Sequence, residues 1–408
     1  MKYVVAGGGI AGVSCAKEIL QLERSPNLEV ILVSPSRVVK SVENFRKIGQ
    51  CGEQFDVKET DSSELFSDTR FSFVSGTVTG WNAEKRELTL RSGEKIKYDK
   101  LCIATGARPR LLHEDSFSGY DQRLIFLRDT QSASHLEMLI SNKRNLLIVG
   151  NGGIATELVY ELSNVEITWL VRDPWIAASF FPADLEKFIE RRLLAGRLHG
   201  RKLDGIQRHL QHSCHSESPE STGIFGPALG PDWCAPFNFR NSSNNTTGRS
   251  VKIFRNCVVE NIRIAEELLV ESLDRNDGTR KVHKPNIIIF AGGVVANSEI
   301  WMKEDQLRIA DNGGISVNDA CETSISDVYA CGDVCSVNLP DSSILWNQRQ
   351  LWTQARQQGE VCSRAMAAGS EEARMQSLYF ELFTHCTTFF GLKQENVNDN
   401  DTFVNETT

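Results

Sequence analysis

Short apolar runs, mostly of β-branched residues, recur along the chain, and a glycine-rich turn follows several of them. Three of these runs begin at Tyr3, Leu146 and Asn286. Continuous apolar runs of this length are typical of strands that are buried on both faces of a parallel sheet. Helical periodicity follows the first two, at residues 12–22 and 154–162. Strands that alternate with helices predict the doubly wound α/β class.

Three segments depart from that pattern. Residues 71–98 alternate apolar and polar positions, which predicts a small antiparallel β insertion in the first unit. Residues 196 to about 250 are rich in Ser, Asn, Gly, Pro and His, so we expect a long loop or a partly disordered insertion. Residues 394–408 are polar and rich in Asn and Asp, which predicts a disordered tail.

Length and composition bound the organisation. A chain of 408 residues should fold as two or more domains. We expect a discontinuous first domain at residues 1–112 plus 296–393, and a second at residues 113–295 that carries the insertion. The formal charge of −8 argues against general binding of nucleic acid. A strand that starts at Tyr3 leaves no room for a signal peptide, so nucleus and cytoplasm are the expected locations.

The first glycine-rich turn carries a nucleotide-binding pattern. Gly7, Gly9 and Gly12 form G-x-G-x-x-G between a strand and a helix. The first glycine permits the tight turn, the second lets main chain approach a pyrophosphate, and the third allows close helix–strand packing. The carboxylate expected at the end of the second strand is replaced by Ser34, whose hydroxyl can bond a ribose oxygen.

Two more small-residue turns extend this pattern. A strand ends in Ala104-Thr105-Gly106, where bulk would clash with a bound dinucleotide. The second glycine-rich turn places Gly150, Gly152 and Ala155 in the same three slots, and Gly292 follows the third apolar run. The fold class is therefore two Rossmann-like dinucleotide-binding domains.

Arg172 stands where an acidic residue would select the ribose of NAD. A cation there can contact a 2′-phosphate, so NADPH is at least as suitable as NADH. The alternative is an exposed loop residue.

A fourth motif ends in Gly332-Asp333. The order of the four motifs resembles the pyridine nucleotide-disulfide oxidoreductase superfamily of flavoproteins. That resemblance implies FAD in the first domain, with Asp333 bonding its ribityl chain, and NAD(P)H in the second.

Segments 226–233, 351–357 and 380–385 resemble more closely a eukaryotic branch of this superfamily that is associated with protecting a tRNA ligase complex from oxidation. The resemblance implies that complex as a partner. The match stops near residue 393, where relatives continue into a C-terminal interface domain, so we expect a truncated chain.

The resemblance also assigns roles to three side chains. Lys40 corresponds to a basic residue near the isoalloxazine, and Glu157 to an acid near the nicotinamide. Trp346 lies at the expected start of a helix that runs through Ala368 and points its N-terminus at the flavin. For Lys40 and Glu157 the alternative is an exposed surface side chain.

The cysteines argue against a redox disulfide. Cys51 stands alone after the second strand, and no cysteine lies between Cys102 and Cys214. Hydride should therefore pass from nicotinamide to flavin without a disulfide. Two alternatives stay open: a nucleotide-sensing interaction protein with little turnover, and a disulfide reductase that uses Cys331 and Cys335. No metal site is expected, because the histidines and cysteines show no recognised ligand spacing.

Overall fold

The structure is a computed structural model, and it describes most of the chain. The described residues are 1–48, 52–110, 121–140, 145–196, 228–229, 233–234, 237, 239, 250–303, 306–338, 350–371, 384–389 and 392–397. Within these ranges, no helix combines the length and the apolar character that crossing a membrane requires.

The first sheet has five parallel strands, and two helices pack on it. In spatial order the strands are β21 (Val328–Ala330), β9 (Lys100–Ile103), β1 (Lys2–Ala6), β2 (Glu29–Ser34) and β5 (Phe71–Ser75). The helices are α1 (Ile10–Leu22) and α5 (Trp352–Ala368). The apolar run that begins at Tyr3 forms the central strand, as predicted.

The second sheet repeats this plan with five parallel strands. In spatial order they are β11 (Leu124–Phe126), β18 (Ile287–Phe290), β12 (Asn145–Val149), β13 (Glu166–Leu170) and β14 (Ser250–Phe254). Three helices belong to this unit: α2 (Thr130–Ile140), α3 (Gly153–Glu161) and α4 (Glu186–Ala195). The predicted fold class, two Rossmann-like units, is confirmed.

Smaller sheets complete the fold. Three antiparallel sheets have two strands each: β3 (Val38–Ile48) with β4 (Gly52–Asp61), β10 (Ala107–Pro109) with β19 (Val294–Ala296), and β23 (Thr384–Phe389) with β24 (Leu392–Val397). Two antiparallel sheets have three strands each. One contains β6 (Val78–Asn82), β7 (Glu87–Leu90) and β8 (Lys95–Lys97), and the other contains β15 (Cys257–Ile264), β16 (Leu268–Asp274) and β17 (Arg280–His283). A short parallel pair joins β20 (Ile315–Val317) to β22 (Cys335–Val337).

The antiparallel insertion predicted at residues 71–98 begins later than expected. Residues 71–75 form β5, which pairs in parallel with β2 at the edge of the first sheet. Only β6, β7 and β8 are antiparallel. Alternation of apolar and polar positions could not distinguish a parallel edge strand from an antiparallel strand, because an edge strand of a parallel sheet is also half-exposed.

The insertion at residues 196–250 was predicted as a long or partly disordered loop, and most of it lies outside the described residues, so that prediction stays untested. Ala228 forms a bridge with Asp129 that precedes α2. Trp233, Cys234 and Phe239 are buried in the core of the second unit. The aromatic side chains supply the apolar area that holds this segment, although they show no periodicity.

The tail predicted at residues 394–408 also begins too early. Strand β24 continues through Val397 and pairs with β23. The rest of the predicted tail, residues 398–408, lies outside the described residues.

Three buried apolar clusters underlie the units. The first contains buried residues from β1, α1, β9, β21 and α5. The second is built around β12, β13, β18 and α3, with Trp169 fully buried. The third lies between the second sheet and strands β15 and β16. The pair β10–β19 connects the two units. The exact domain boundaries given above stay predictions.

Helices α1 and α5 approach so closely that a glycine is required between them. A Cβ on Gly359 would lie closer than 3.0 Å to the main-chain oxygen of Ala11. The same segment of α1 also contacts the turn before Asp333, because a Cβ on Gly332 would meet the Ala11 Cβ at 2.8 Å. The helix pair therefore fixes the position of two loops at the carboxyl end of the sheet.

Replacing Gly359 with alanine should lower the free energy of unfolding by about 2 kcal/mol, as overpacking does in tight cores. This loss outweighs the roughly 1 kcal/mol that alanine gains over glycine in a helix. Gly80→Ala is the control, since a Cβ at Gly80 meets nothing within 4 Å. Equal thermal midpoints for the two variants would contradict the packing argument.

Candidate functional site

The first glycine-rich turn is held against the end of strand β9. Gly7 has φ +136°, and a Cβ there would lie closer than 3.0 Å to the main-chain oxygen of Ala104. A Cβ on Gly12 would meet the Gly7 oxygen within the same limit. Both positions exclude any larger residue, as the spacing predicted.

Gly9 differs from its two neighbours, because space opens in front of it. It caps the N-terminus of α1 in an extended conformation, and no side chain caps this helix end. A Cβ on Gly9 would meet nothing within 4 Å. Main-chain N–H groups of the first helical turn therefore face open space, and this fits the close approach of a pyrophosphate.

Ser34 lies at the end of β2, and its side chain packs against the same turn. A Cβ on Gly8 would lie 2.8 Å from the Ser34 Oγ. The residue is buried. Its role as a ribose ligand stays a prediction.

The second turn reproduces this geometry. Gly150 has φ +138°, and a Cβ there would lie closer than 3.0 Å to the Ala291 oxygen. Gly152 caps α3 without a side-chain cap and has open space in front of it. Ala155 is fully buried beneath the turn. Gly292 also faces open space. This turn therefore fits a second dinucleotide.

The end of β13 presents a cation beside a fixed carboxylate. The Arg172 side chain is 74% exposed, and its Nε lies 3.8 Å from Asp173 Oδ1. Asp173 Oδ2 accepts a hydrogen bond of 2.8 Å from Asn151 Nδ2, within the second turn. Asp173 is thus held against the turn while Arg172 extends into solvent, where it can reach a 2′-phosphate.

Asp333 follows the left-handed Gly332, whose N–H donates to Gln358 Oε1 at 2.7 Å on α5. Burial raises the pKa of the Asp333 carboxyl, and the charge of Arg128 opposes that shift. Among the described residues no hydrogen bond to this carboxylate is formed. The carboxylate is therefore fixed by its backbone and has capacity to accept bonds from a ligand.

Arg128 is a site residue that the motifs did not single out. It is buried, and its Nε has no hydrogen-bond partner. A Cβ on Gly106 would lie 3.3 Å from its Nη2. Burial lowers the pKa of the Arg128 guanidinium, while Asp333 raises it. A buried cation with an unpaired donor fits a bound anion.

One sequence signal pointed at Arg128. The residue follows the apolar run of β11 at its carboxyl end, where ligands bind in open α/β sheets. A lone charge directly after a buried strand is the kind of position that deserves a functional hypothesis.

Lys40 is buried rather than exposed, so the surface alternative is wrong for this residue. Its Nζ lies 3.0 Å from Glu59 Oε1 and donates to the Ala228 oxygen at 2.8 Å. It also lies 5.1 Å from the centroid of the Trp352 ring, at the start of α5. The Lys40 main-chain N–H donates to Gly8 O at 3.2 Å. Lys40 is therefore fixed beside the first turn.

Glu59 was missed because a glutamate on an alternating hairpin strand looks like a surface residue. It is buried and accepts a hydrogen bond from Thr130 Oγ1 at the start of α2. Burial lowers the pKa of the Lys40 amine, and the charge of Glu59 opposes that shift. Lys40 and Glu59 thus form a buried pair between the first unit and helix α2 of the second.

The positions of three other predicted site residues differ from one another. Thr105 Oγ1 donates to the Asn297 oxygen at 3.0 Å, so its hydroxyl serves the β10–β19 connection. Glu157 is half-buried on α3. Trp346 lies outside the described residues. The helix expected from Trp346 begins instead at Trp352, because Leu351 before it is extended with φ −123°.

The two cysteines that flank Asp333 contact different atoms. Cys335 Sγ donates to Gly332 O at 3.3 Å, whereas Cys331 Sγ lies 3.4 Å from Cys102 Sγ. The eight cysteines whose side chains the structure describes are free thiols. Cys51 and Cys214 lie outside that part.

Comparisons with known proteins agree with this geometry. A family model for pyridine nucleotide-disulphide oxidoreductases matches residues 1–201 and 242–359. The Drosophila melanogaster pyridine nucleotide-disulfide oxidoreductase domain-containing protein 1 is 35% identical over 397 residues, covering 96% of this chain and 81% of the relative.

Solved structures share the fold at low identity. A ferredoxin reductase from Rhodopseudomonas palustris matches with a TM-score of 0.65 at 16% identity, over 97% of this chain and 82% of its own. The water-forming NADH oxidase from Lactobacillus brevis bound to NADH gives 0.59 at 17% identity, over 90% of this chain and 69% of its own.

Glu59→Gln should cost about 3–5 kcal/mol of stability, because it leaves the Lys40 charge buried without its nearest counter-charge. The exposed pair of Lys95 and Glu87, 2.8 Å apart, supplies the control. Glu87→Gln should cost about 0–1 kcal/mol.

Adding Lys40→Met to Glu59→Gln should restore most of the lost stability, since the variant then buries no unpaired charge. Thermal unfolding of the three variants measures this. If the double variant is no more stable than Glu59→Gln alone, the unpaired Lys40 charge is not the cause of the lost stability.

Proposed function

The chain belongs to the pyridine nucleotide-disulphide oxidoreductase family, and from this premise we propose that it is an FAD-dependent NAD(P)H oxidoreductase without a redox-active disulfide. The observation that carries the proposal is the pair of glycine-rich turns. Each ends at an uncapped helix N-terminus with open space in front of it, at Gly9 and at Gly152. Two such sites in one chain fit two dinucleotides.

The first unit offers the residues that would hold FAD. Gly9 leaves room for the pyrophosphate, and Arg128 supplies a buried cation near it. Asp333 offers an acceptor for a hydroxyl-bearing chain. When bound, FAD supplies the hydride-accepting ring, which no amino-acid side chain can replace.

Lys40 and Glu157 have different parts in this proposal. The Lys40 amine, held by Glu59, provides a fixed positive field beside the first turn, and such a field stabilises negative charge that develops on a bound ligand. Glu157 stands at the first helix of the second turn, where it would contact the nicotinamide end. Both would act by position and charge, with the hydride passing between the two ligands.

The second unit would bind NAD(P)H. Gly150, Gly152 and Ala155 form its turn, and Arg172 beside Asp173 reads the ribose. Because Arg172 is exposed and Asp173 is engaged by Asn151, we propose that a 2′-phosphate is accepted and that NADPH is used at least as well as NADH.

The electron acceptor in this proposal is oxygen, a quinone or a protein. The different contacts of Cys335 and Cys331, with the Gly332 oxygen and the Cys102 sulfur, and the free thiols of the described side chains support a route that ends at the flavin. We extend the proposal to protection of a tRNA ligase complex in nucleus and cytoplasm, which rests on the likeness to the eukaryotic relatives alone.

Gly9→Val should give a folded protein that lacks flavin. The backbone at Gly9, with φ −81°, accepts a β-branched residue, and the new side chain would fill only the space reserved for the pyrophosphate. The ratio of FAD to protein, taken from visible absorbance, should fall at least tenfold. The thermal midpoint of the FAD-free form should match that of FAD-free wild type.

Gly80→Val is the matched control, because space is also open there and the position lies away from both turns. It should retain flavin. Wild-type protein that stays colourless after reconstitution with excess FAD would overturn the proposal. Flavin without NAD(P)H consumption would favour the nucleotide-sensing alternative.

Arg172→Glu should shift coenzyme preference toward NADH. A charge-assisted contact to the 2′-phosphate is worth about 1–3 kcal/mol, so the ratio of kcat/KM for NADPH over NADH should fall about 5- to 150-fold. Arg275→Glu makes the same change of charge at an exposed position of the same unit and should leave the ratio unchanged. If Arg172→Glu leaves the ratio unaltered, the Arg172 side chain does not contact the coenzyme and is only a solvent-exposed residue.

A further inference from the structure

Five sulfur atoms meet in the core beneath the first sheet. Cys15 lies on α1, Cys102 on β9, Cys331 directly after β21, and Cys362 with Met366 on α5. Each of these side chains is fully buried, with no exposed area. We call this group the sulfur cluster. Neither the glycine-rich turns nor the proposed hydride transfer uses it.

The sulfur atoms are close to one another. Cys102 Sγ lies 3.4 Å from Cys331 Sγ and 3.5 Å from Cys362 Sγ. The Met366 Sδ lies 3.9 Å from Cys15 Sγ and 3.8 Å from Cys362 Sγ. The thiol sulfurs of Cys15, Cys102 and Cys362 all lie within 4.8 Å of one another.

These separations suit a metal ion. Sulfur ligands lie about 2.3 Å from a bound ion, so ligands arranged around one centre are roughly 4 Å apart. The donors come from two helices and one strand, and their sulfur atoms nevertheless lie side by side. Residues that act only as small core fillers need not point their sulfur atoms at a common centre.

We propose that Cys15, Cys102 and Cys362 form a binding site for a soft monovalent cation, Cu(I), with Met366 as a thioether ligand. A site made only of sulfur selects soft ions such as Cu(I), Zn²⁺ or iron–sulfur clusters. The thioether of Met366, which is uncharged, is a ligand that Cu(I) accepts and Zn²⁺ rarely takes.

The burial of the sulfur cluster favours a ligand set that limits the net charge of the site. A fully buried ion is tolerated only when its ligands balance its charge. Cysteine binds a metal as the thiolate, so binding releases the protons of the three cysteine ligands. The thioether of Met366 adds a fourth sulfur ligand without adding negative charge.

The site would lie directly behind the first nucleotide-binding turns. Cys102 precedes Ile103 and Ala104, whose carbonyl contacts Gly7. Cys331 precedes Gly332 and Asp333. A bound ion would therefore join α1, α5 and β9, with Cys331 of the Asp333 loop 3.4 Å from one ligand, and it would stabilise the chain whether or not FAD is bound.

Copper binding to the purified chain of 408 residues tests the proposal. The protein is reduced and kept anaerobic, Cu(I) is added against a colorimetric Cu(I) chelator, and the metal retained is quantified by elemental mass spectrometry. Because the thiols are buried, protein refolded in the presence of Cu(I) is measured beside protein loaded after folding. One equivalent withheld from the chelator in at least one of the two samples is expected.

Variants separate the sulfur cluster from the other cysteines. A background variant with Cys51→Ser, Cys214→Ser and Cys386→Ser should still hold one copper. Adding Cys15→Ala and Cys362→Ala should abolish retention, whereas Cys257→Ala, which removes a buried thiol of the second unit, should not. Retention by the variant that lacks Cys15 and Cys362 would overturn the assignment.

X-ray absorption on copper-loaded wild type covers the case in which those variants fail to fold. An all-sulfur coordination shell supports the site, and a shell with nitrogen or oxygen ligands overturns it. Wild type that retains no copper, or that retains Zn²⁺ in preference to Cu(I), also overturns the proposal. None of these results depends on FAD, so the oxidoreductase proposal stands or falls separately.

Discussion

Both nucleotide-binding turns depend on one steric constraint, the contact of a glycine with a main-chain oxygen at the end of a neighbouring strand. Gly7 lies against Ala104, and Gly150 lies against Ala291. In each case the φ angle is left-handed, and no side chain fits. The contact brings the turn and the adjoining strand end so close that the following helix points its N-terminus into open space. Gly9 and Gly152 face that space, so a pyrophosphate could approach the main chain at these two residues.

The polar residues near the first turn are incompletely paired. Arg128 is buried and Asp333 is half-buried, and both follow strands at their carboxyl ends. Burial shifts the pKa of each toward its neutral form, and each opposes the shift of the other. Such an arrangement costs stability in the absence of a ligand. An anion with hydroxyl groups would pair with the Arg128 guanidinium and donate to the Asp333 carboxylate. The lower stability of the ligand-free protein is therefore consistent with a binding site.

The sequence was most informative where local backbone chemistry decides the structure. The runs at Tyr3 and Leu146 became buried strands, because continuous β-branched residues fit only the interior of a parallel sheet. It was less informative for the segment that holds Trp233 and for the start of α5. Trp233 is buried by a tertiary contact without periodicity, and the helix begins late because Leu351 is extended. Arg128 and Glu59 were missed for a related reason. Their importance lies in burial, which a single charged residue in a sequence does not reveal.

The segment around Ala228 shows how an insertion in one unit can control the other. The Ala228 main-chain oxygen accepts a hydrogen bond from the Lys40 amine. The main-chain N–H of Lys40 in turn donates to the Gly8 oxygen in the first turn. Ala228 also bridges to Asp129, the neighbour of Arg128 and of Thr130 that bonds Glu59. A displacement of Ala228 would therefore remove one hydrogen bond from a buried lysine and disturb the backbone next to Arg128 at the same time. The insertion therefore contacts both the Lys40 amine and the backbone next to Arg128, although it belongs to the second unit in sequence.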